Sequence, residues 1–447
     1  MEPIIFKKMR IAVACWVLMP ICSSVVSGGE ALIATLAGGP PVDSSWGCTA
    51  EGVGLMWSAP SGAEHPVAVD FIAACDPAFD FAGRTLFFSG RRSATEGFRI
   101  WRVDLATNEV SALTPDGIQA RRPFALPDGS IAFISNGDLY RRNGETDRLE
   151  QLTYTRGQLQ TAAVLPDGRI LFLQRSGRGG RLFTMLPDGT WSTLWPGLND
   201  VAVSDFTILD RGRLLVLDMA ADLWLVSIAD PFAPRKSISV DLGGSIRSLH
   251  RADEGAAFLV ADTRGKSEGS ATRAASLRLA TEPQLAELGA FDSRTLLAVA
   301  STRPVPRADI LPSIVKPEME TGYLFVIDVA RTDDPELAGL DRAEIAELRI
   351  YQLEASGSRT ALFAVEPASD GSVYVEAPAD TPLALEMVDR HGTVLAKTST
   401  PIWIRPNERR GCIGCHVSPA FAPPNIRPEA LVQEPHRLGS SQEKVSP

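Results

Sequence analysis

FALPDGSIAFISNG (Phe124–Gly137) and AVLPDGRILFLQRSG (Ala163–Gly177) are built to one plan: an apolar entry, an acidic-glycine turn, then an unbroken apolar run. The plan recurs in FDFAGRTLFFSG (Phe79–Gly90), TILDRGRLLVLD (Thr207–Asp218) and HRADEGAAFLVAD (His250–Asp262). A weaker sixth copy is AFDSRTLLAVAST (Ala290–Thr302). The turn glycines Gly83, Gly129, Gly168, Gly212 and Gly255 stand 39 to 46 residues apart. A period of that length, made of short strands, is the signature of a β-propeller blade. Glycine supplies the positive φ that a tight hairpin turn requires.

Each unit continues into a second hairpin. FRIWRVDLATNEVSALTPDG and GDLYRRNGETDRLEQLT are examples, the first alternating apolar and polar residues with period two. A lone four-stranded blade cannot bury both of its faces, so the units pack around an axis. Six copies predict six blades. VGLMWSA or HPVAVDFIA, upstream of the first copy, is expected to supply the strand that closes the ring.

The repeat ends near residue 305, at the proline-rich STRPVPRADILPSIVKPEMETG (Ser301–Gly322), which reads as a linker. Short apolar runs follow (YLFVIDVA, RTALFAVEP, GSVYVEAP, LALEMVD, GTVLAKTS), with turns at Asp370-Gly371 and His391-Gly392. They fit a small sandwich. DRAEIAELRIYQL fits helix or strand equally. The expected fold class is therefore all-β. A six-bladed propeller at 45–305 leads to a β-rich, sandwich-like domain at 306–404, then a short C-terminal haem-binding segment at 405–447.

The chain has 447 residues and a formal net charge of −10, without a long basic run, which argues against a nucleic-acid partner. At the N-terminus, Lys7, Lys8 and Arg10 precede IAVACWVLMPICSSVV, and small residues follow. That is the plan of a signal peptide, here residues 1–28, and it predicts a periplasmic or secreted protein. The apolar stretch is short of the roughly 20 residues a membrane-spanning helix needs. No span beyond this leader is expected. Removal of the leader takes Cys15 and Cys22 with it. In an oxidising compartment Cys48 and Cys75 are then candidates for a disulfide, with two buried thiols as the alternative.

The chemistry lies late, in RRGCIGCHVS (Arg409–Ser418). C-x-x-C-H is the attachment signature of a c-type haem. Two vinyl groups on one porphyrin edge take thioether bonds from Cys412 and Cys415, and the next imidazole, His416, reaches the iron as proximal ligand. Gly414 is expected to let the backbone lie against the porphyrin. Half a zinc site is the weaker reading, because zinc wants four ligands and no second cysteine pair stands nearby. A thioredoxin-like redox pair lacks its βαβ setting. One covalent haem c is thus expected. His436 and His391 are the candidates for the far side of the iron, and a vacant position is the third option. Arg409 and Arg410 are candidates for pairing with haem propionates. His65 and His250 are read as structural or exposed.

The run from Ser372 to His416, SVYVEAPADTPLALEMVDRHGTVLAKTSTPIWIRPNERRGCIGCH, resembles the middle-domain-to-haem stretch of hydrazine synthase alpha-subunit-like proteins. There an xVPADTPLxxxxLDxxG run leads through a Pro-Gly-Glu-like turn to C-x-G-C-H; here the turn is Pro406-Asn407-Glu408. RPVPRADILPSIVKPEMETGYLFVIDV (Arg303–Val329) is similar to that family's junction after the propeller, and the repeats resemble TolB-like ones. The resemblance implies a propeller, a β-rich middle domain and a c-type haem on Cys412, Cys415 and His416. Two departures stand out. One C-x-x-C-H is present, with 31 residues after it, so the relative's second haem domain is not expected here; and no tyrosine follows Tyr374. The expected function is an exported mono-haem cytochrome that exchanges electrons with a protein redox partner. The alternatives are a haem oxidoreductase with an open distal site between propeller and middle domain, and a protein-binding propeller scaffold with a structural haem.

Overall fold

The computed structural model describes residues 32–37, 53–58, 64–414 and 425–438, apart from short breaks at 178, 254–255, 265–269, 280–282, 292–294, 302–303, 333–336 and 338. The leader, Cys48, Cys415 and His416 lie outside the described residues. Among the described residues no helix is long and apolar enough to cross a membrane.

Twenty-four strands form six four-stranded blades. Blade 1 is Ala73–Phe79, Thr85–Arg91, Arg99–Asp104 and Val110–Ala112, from the axis outward. Blades 2, 3, 4 and 5 begin at the axis with Ala120–Ala125, Leu159–Val164, Val203–Ile208 and Ser245–Asp253. Blade 6 is assembled from both ends of the propeller sequence. Its axial strand is Thr295–Ser301, and Leu32–Ala37, Val53–Ser58 and Glu64–Val67 complete it. The axial strands touch in a closed circuit, blade 6 returning to blade 1.

Two expectations change here. The propeller begins at Leu32, before residue 45, because the closing blade draws three strands from the N-terminal side. The sixth copy, Ala290–Thr302, does not form an inner hairpin. It spans from the outermost strand of blade 5, Pro283–Phe291, to the axial strand of blade 6, whose neighbour is Leu32–Ala37. The turn glycines take the expected conformation at Gly83, Gly129 and Gly168, with φ of 67°, 86° and 87°.

The apolar runs do not alternate because both faces of a blade are buried. Along Ile170–Ser176, Phe172 packs with Leu126, Ile134 and Leu139 of blade 2, while Leu171 and Leu173 pack with Phe206, Leu214 and Val216 of blade 4. Blades 1 and 2 share Ile100, Ile131 and Phe133, and blades 4 and 5 share Leu215, Leu217 and Leu259. This burial of inter-blade faces is what stabilises the ring.

The stretch after the propeller is an ordered strap. Val305 N–H donates to Phe81 O (3.0 Å), and Asp309 O lies against Gly168. Ser313 Oγ and Ile314 N–H donate to the Asp188 carboxylate at 2.9 and 3.2 Å. The strap thus crosses the turns of blades 1 and 3 on one face of the ring and delivers the chain to the second domain.

That domain is a sandwich of two four-stranded sheets. One has the order Arg409–Cys412, Thr321–Val326, Val373–Pro378, His436–Arg437. The other has the order Arg359–Val365, Glu347–Leu353, Leu383–Val388, Val394–Lys397. Leu324, Val326, Val375, Ile350, Val365 and Leu385 interdigitate between them. DRAEIAELRIYQL becomes a 3₁₀ turn, Arg342–Glu344, capped by Asp341, and then a strand. The segment after residue 404 is not a separate appendage, as two of its stretches, Arg409–Cys412 and His436–Arg437, are the edge strands of one sheet.

Five axial strands bulge against their neighbours at equivalent places: at Cys75/Ala78, Arg121/Phe124, Leu159/Thr161, Val203/Asp205 and Ile246/Ser248. Near these bulges His250 is enclosed around the axis, its Nε2 3.1 Å from Ser248 Oγ. Burial, reinforced by Arg122 and Arg247, pushes the imidazole down to about 3. The unfolded chain binds this proton near pH 6.5 and the folded one does not. Stability from the neutral His250 is therefore complete above pH 6.5 and is lost as pH falls toward 3. Denaturant unfolding of wild type and His250→Gln between pH 4 and 7 should show a steeper acid loss in wild type, by at most about 1.4 kcal/mol per pH unit. Parallel curves would show that His250 is not held neutral.

Candidate haem-attachment site and its anchor

Trp403, Arg405 and Glu408 precede the C-x-x-C-H motif, and all three are buried, at 1%, 1% and 0% exposure. They insert between blades 2 and 3. The Trp403 indole joins the apolar cluster of Leu152, Phe172 and Met185, and its Nε1–H donates to Gly189 O at 3.0 Å. Arg405 is bonded on every side. Its Nη2 meets Glu150 of blade 2 and its Nη1 meets Asp380 of the sandwich, both at 2.6 Å. Nε–H donates to Asp188 O (3.0 Å), and Nη1 also reaches Gln151 O (2.8 Å). Glu408 accepts from Trp191 N–H and Arg405 N–H, each at 2.7 Å.

Burial raises the Glu408 and Asp380 carboxyls above their ordinary range, while Arg410 and Arg405 respectively pull them back. The phenol of Tyr154, beside Asp380 and Arg405, is pushed up by burial. Arg410 donates to Trp403 O (2.8 Å) and to Ser192 O of blade 3. It therefore fastens the strand to the propeller, which is a different role from propionate binding. Arg409 is exposed and lies over the Tyr323 ring, 5.7 Å from its centroid.

From this anchor the chain enters Arg409–Cys412, parallel to Thr321–Val326, with Cys412 opposite Val326. Cys412 is three residues, roughly 10 Å of strand, beyond Arg409. It is a free cysteine, packed against the sandwich core. Burial raises its thiol pKa and Arg410 opposes this. Gly414 lies against the backbone of Asp328 and Arg331, where a side chain would collide with Arg331 O. Glycine is thus required at Gly414 by the protein's own turn, whatever lies beyond it.

Cys75 is disulfide-bonded. His391 is exposed, in the turn Asp389–Thr393 of the second sheet, its N–H bonded to Asp389 Oδ1 at 2.8 Å. A chain of contacts joins that turn to the motif: Gly414 against Asp328, Asp328 to Arg342 (2.6 Å), and Ala343 O to Arg390 (3.2 Å). His436 is exposed on the opposite edge of the first sheet, beside Val375, with two strands between it and Arg409–Cys412. Among the described residues no group of three metal-ligating side chains converges.

Of the three expected donors, Cys412 is the one among the described residues. Cys412 offers a free thiol on an edge strand, and its next residues are braced by the Asp328–Arg331 turn. The anchoring role of Trp403, Arg405, Glu408 and Arg410 is not legible in the sequence, where Arg410 is a candidate for propionate pairing and Glu408 part of a turn. Its only local signal is an aromatic residue set among charges in WIRPNERR, and Glu150 stands 255 residues from Arg405.

Residues 344–417 match the family model described as the hydrazine synthase alpha subunit middle domain. Kuenenia stuttgartiensis hydrazine synthase superposes with a TM-score of 0.77 at 16% identity, covering 90% of this chain and 71% of that one. TolB from Acinetobacter baumannii gives a TM-score of 0.42 at 14% identity, covering 60% of this chain and 67% of that one. No curated protein matches the sequence. The chain is thus hydrazine synthase alpha-like in its middle domain, and the likeness of fold extends across propeller and sandwich.

Arg405→Ala leaves Glu150 and Asp380 facing a cavity, and is expected to cost about 3–5 kcal/mol. Trp403→Ala should cost a similar ~3–5 kcal/mol. Both variants should also become sensitive to protease between residues 304 and 320. Calorimetric unfolding with limited proteolysis reads both effects, and unchanged melting would show that the anchor does not hold the two domains together.

Proposed function

We propose that this chain is an exported mono-haem c-type protein that exchanges electrons with a protein partner. Cys412 and Cys415 hold the haem by thioether bonds and His416 binds its iron. The observation that carries this reading is the placement of Cys412, a free thiol on a strand fastened at its start to blade 3. The family match over residues 344–417 supports it, because that segment runs through the whole C-x-x-C-H motif. A bound haem supplies a one-electron iron couple. The chain's own residues fix where that couple sits. Arg405 and Trp403 set the sandwich on the propeller, and the Asp328–Arg331 turn braces the motif. The charged leader supports export, where such attachment takes place.

His391, exposed in the turn Asp389–Thr393, and His436, on the sheet edge, are the two distal candidates. The second reading is a redox enzyme whose sixth position is vacant.

The matured protein should give a c-type pyridine haemochrome with one haem per chain. Cys412→Ala together with Cys415→Ala should abolish covalent retention while leaving the fold intact by circular dichroism. A matured protein without covalent haem would end the proposal. A low-spin six-coordinate spectrum lost in His391→Ala supports the electron carrier. A high-spin spectrum that takes up small ligands supports the enzyme.

A further inference from the structure

The two ends of the propeller differ in how they hold charge. At the strap end, arginines of the hairpin turns meet aspartates: Arg141 pairs with Asp128, Arg142 with Asp147, Arg169 with Asp167 and Arg213 with Asp210. The second strand of each blade runs away from that end. Its last residues, the start of the third strand and the link to the next blade therefore share the opposite face. In blades 1 to 3 that face carries Arg92, just after Thr85–Arg91, and Arg156, in the link from Leu149–Gln151 to Leu159–Val164. It also carries Arg175 and Arg181, on either side of the turn between Ile170–Ser176 and Gly179–Met185. All four side chains are exposed.

The acids at this end of the three blades do not neutralise them. Asp116 is paired with Arg99, and Asp138 is buried, where it accepts from Thr153, Thr155 and Gly157. Glu96 accepts from the backbone N–H of Arg92 at 3.1 Å, and Asp70 is exposed. Among the described residues none of Arg92, Arg156, Arg175 and Arg181 has a carboxylate partner. Arg91 and Arg121 are turned inward, flanking the buried Phe98 ring at 5.1 and 3.8 Å, and take no part in this surface.

Arg92 is also held in place. Its guanidinium lies 4.9 Å from the Phe71 ring centroid and 4.6 Å from that of Trp101, and the two rings meet edge-on at 4.9 Å. An arginine stacked on rings keeps its planar donors open to a carboxylate. It has also lost part of its rotamer freedom before any partner arrives, which lowers the entropic cost of binding. Beside it Val69 is 72% exposed and offers apolar contact.

We propose that this face, centred on Arg92, Arg156, Arg175 and Arg181, docks an acidic segment of a partner protein. The chain's formal net charge of −10 selects among polyanions. A nucleic acid or an anionic membrane would extend beyond the arginines onto acidic surface, whereas a short acidic segment ends within about 8–10 Å of them, inside the screening length. Arginine forks match carboxylates two oxygens at a time. The surface lies on the propeller and does not rest on the haem reading.

The probe is a rhodamine-labelled octaglutamate peptide, which reaches about 26 Å when extended. Its fluorescence anisotropy is titrated with the full chain at low salt and at about 150 mM salt. Binding should be saturable and weaker at the higher salt, and octalysine should not bind. Arg92→Gln should weaken octaglutamate about threefold, and Arg92→Gln combined with Arg156→Gln and Arg175→Gln about tenfold or more. Arg148→Gln, an exposed arginine in the strap-end turn between Asp138–Arg142 and Leu149–Gln151, should bind as wild type does. Melting temperatures control for folding, and if the triple variant fails to fold, Arg92→Gln decides alone. The proposal is overturned by absence of saturable octaglutamate binding at low salt, by undiminished affinity in the folded variants, or by an equal loss in Arg148→Gln. Tighter binding to phosphatidylglycerol vesicles or to duplex DNA than to octaglutamate also overturns it.

Discussion

The buried guanidinium of Arg405 decides how the two domains sit. A charge taken out of water costs several kcal/mol unless partners replace the lost solvation. Here the partners come from three places: Glu150 and Gln151 from blade 2, Asp188 from blade 3, and Asp380 from the sandwich. No one of these segments satisfies the group alone. The planar fork fixes direction as well as distance, so a sandwich shifted or turned against the propeller would leave at least one buried charge unpaired. Trp403 adds apolar area at the same point, and Glu408 ties the next turn to Trp191. The apolar contact supplies attraction, and the polar contacts select one arrangement from those the attraction would permit.

The consequence reaches the motif directly. Cys412 follows Arg405 by seven residues, and most of them are already placed. Asn407 N–H is bonded to Thr321 O, Arg410 to blade 3, and residues 409–412 to the strand Thr321–Val326. Little freedom remains between the domain junction and the first cysteine. An electron-transfer centre gains from such rigidity, because an immobile scaffold keeps the partner-facing surface in one geometry.

Much of this architecture is legible in the sequence, for a physical reason. A blade repeats because each unit solves the same packing problem, so PDG turns and apolar runs recur at near-constant spacing. Blade 6 breaks the pattern because its strands come from opposite ends, and Ala290–Thr302 imitates a repeat while spanning two blades. The sandwich strands show their alternation, as in Thr321–Val326, where buried residues are every second one. The anchor was not legible. Arg405 looks like any exposed arginine until Glu150 and Asp380 are brought to it, and nothing local in WIRPNERR reports that. Gly414 was legible as a glycine with a purpose, but the purpose differs: the neighbour that excludes a side chain is the backbone of Arg331.

Two charged centres in this chain are handled in opposite ways. At Arg405 acids from both domains and backbone carbonyls surround one buried cation. Along the propeller axis Asp76 and Asp205 staple one blade to the next and also face the buried Arg122. The first arrangement closes an interface; the second borders a cavity of about 430 Å³ beneath the strap. The chain therefore assembles in a necessary order of dependence. Blade 6 needs both ends of the propeller, the anchor needs blades 2 and 3 side by side, and the C-x-x-C-H strand needs the anchor. The strand that enters the motif thus depends on a contact between blades far from it in sequence.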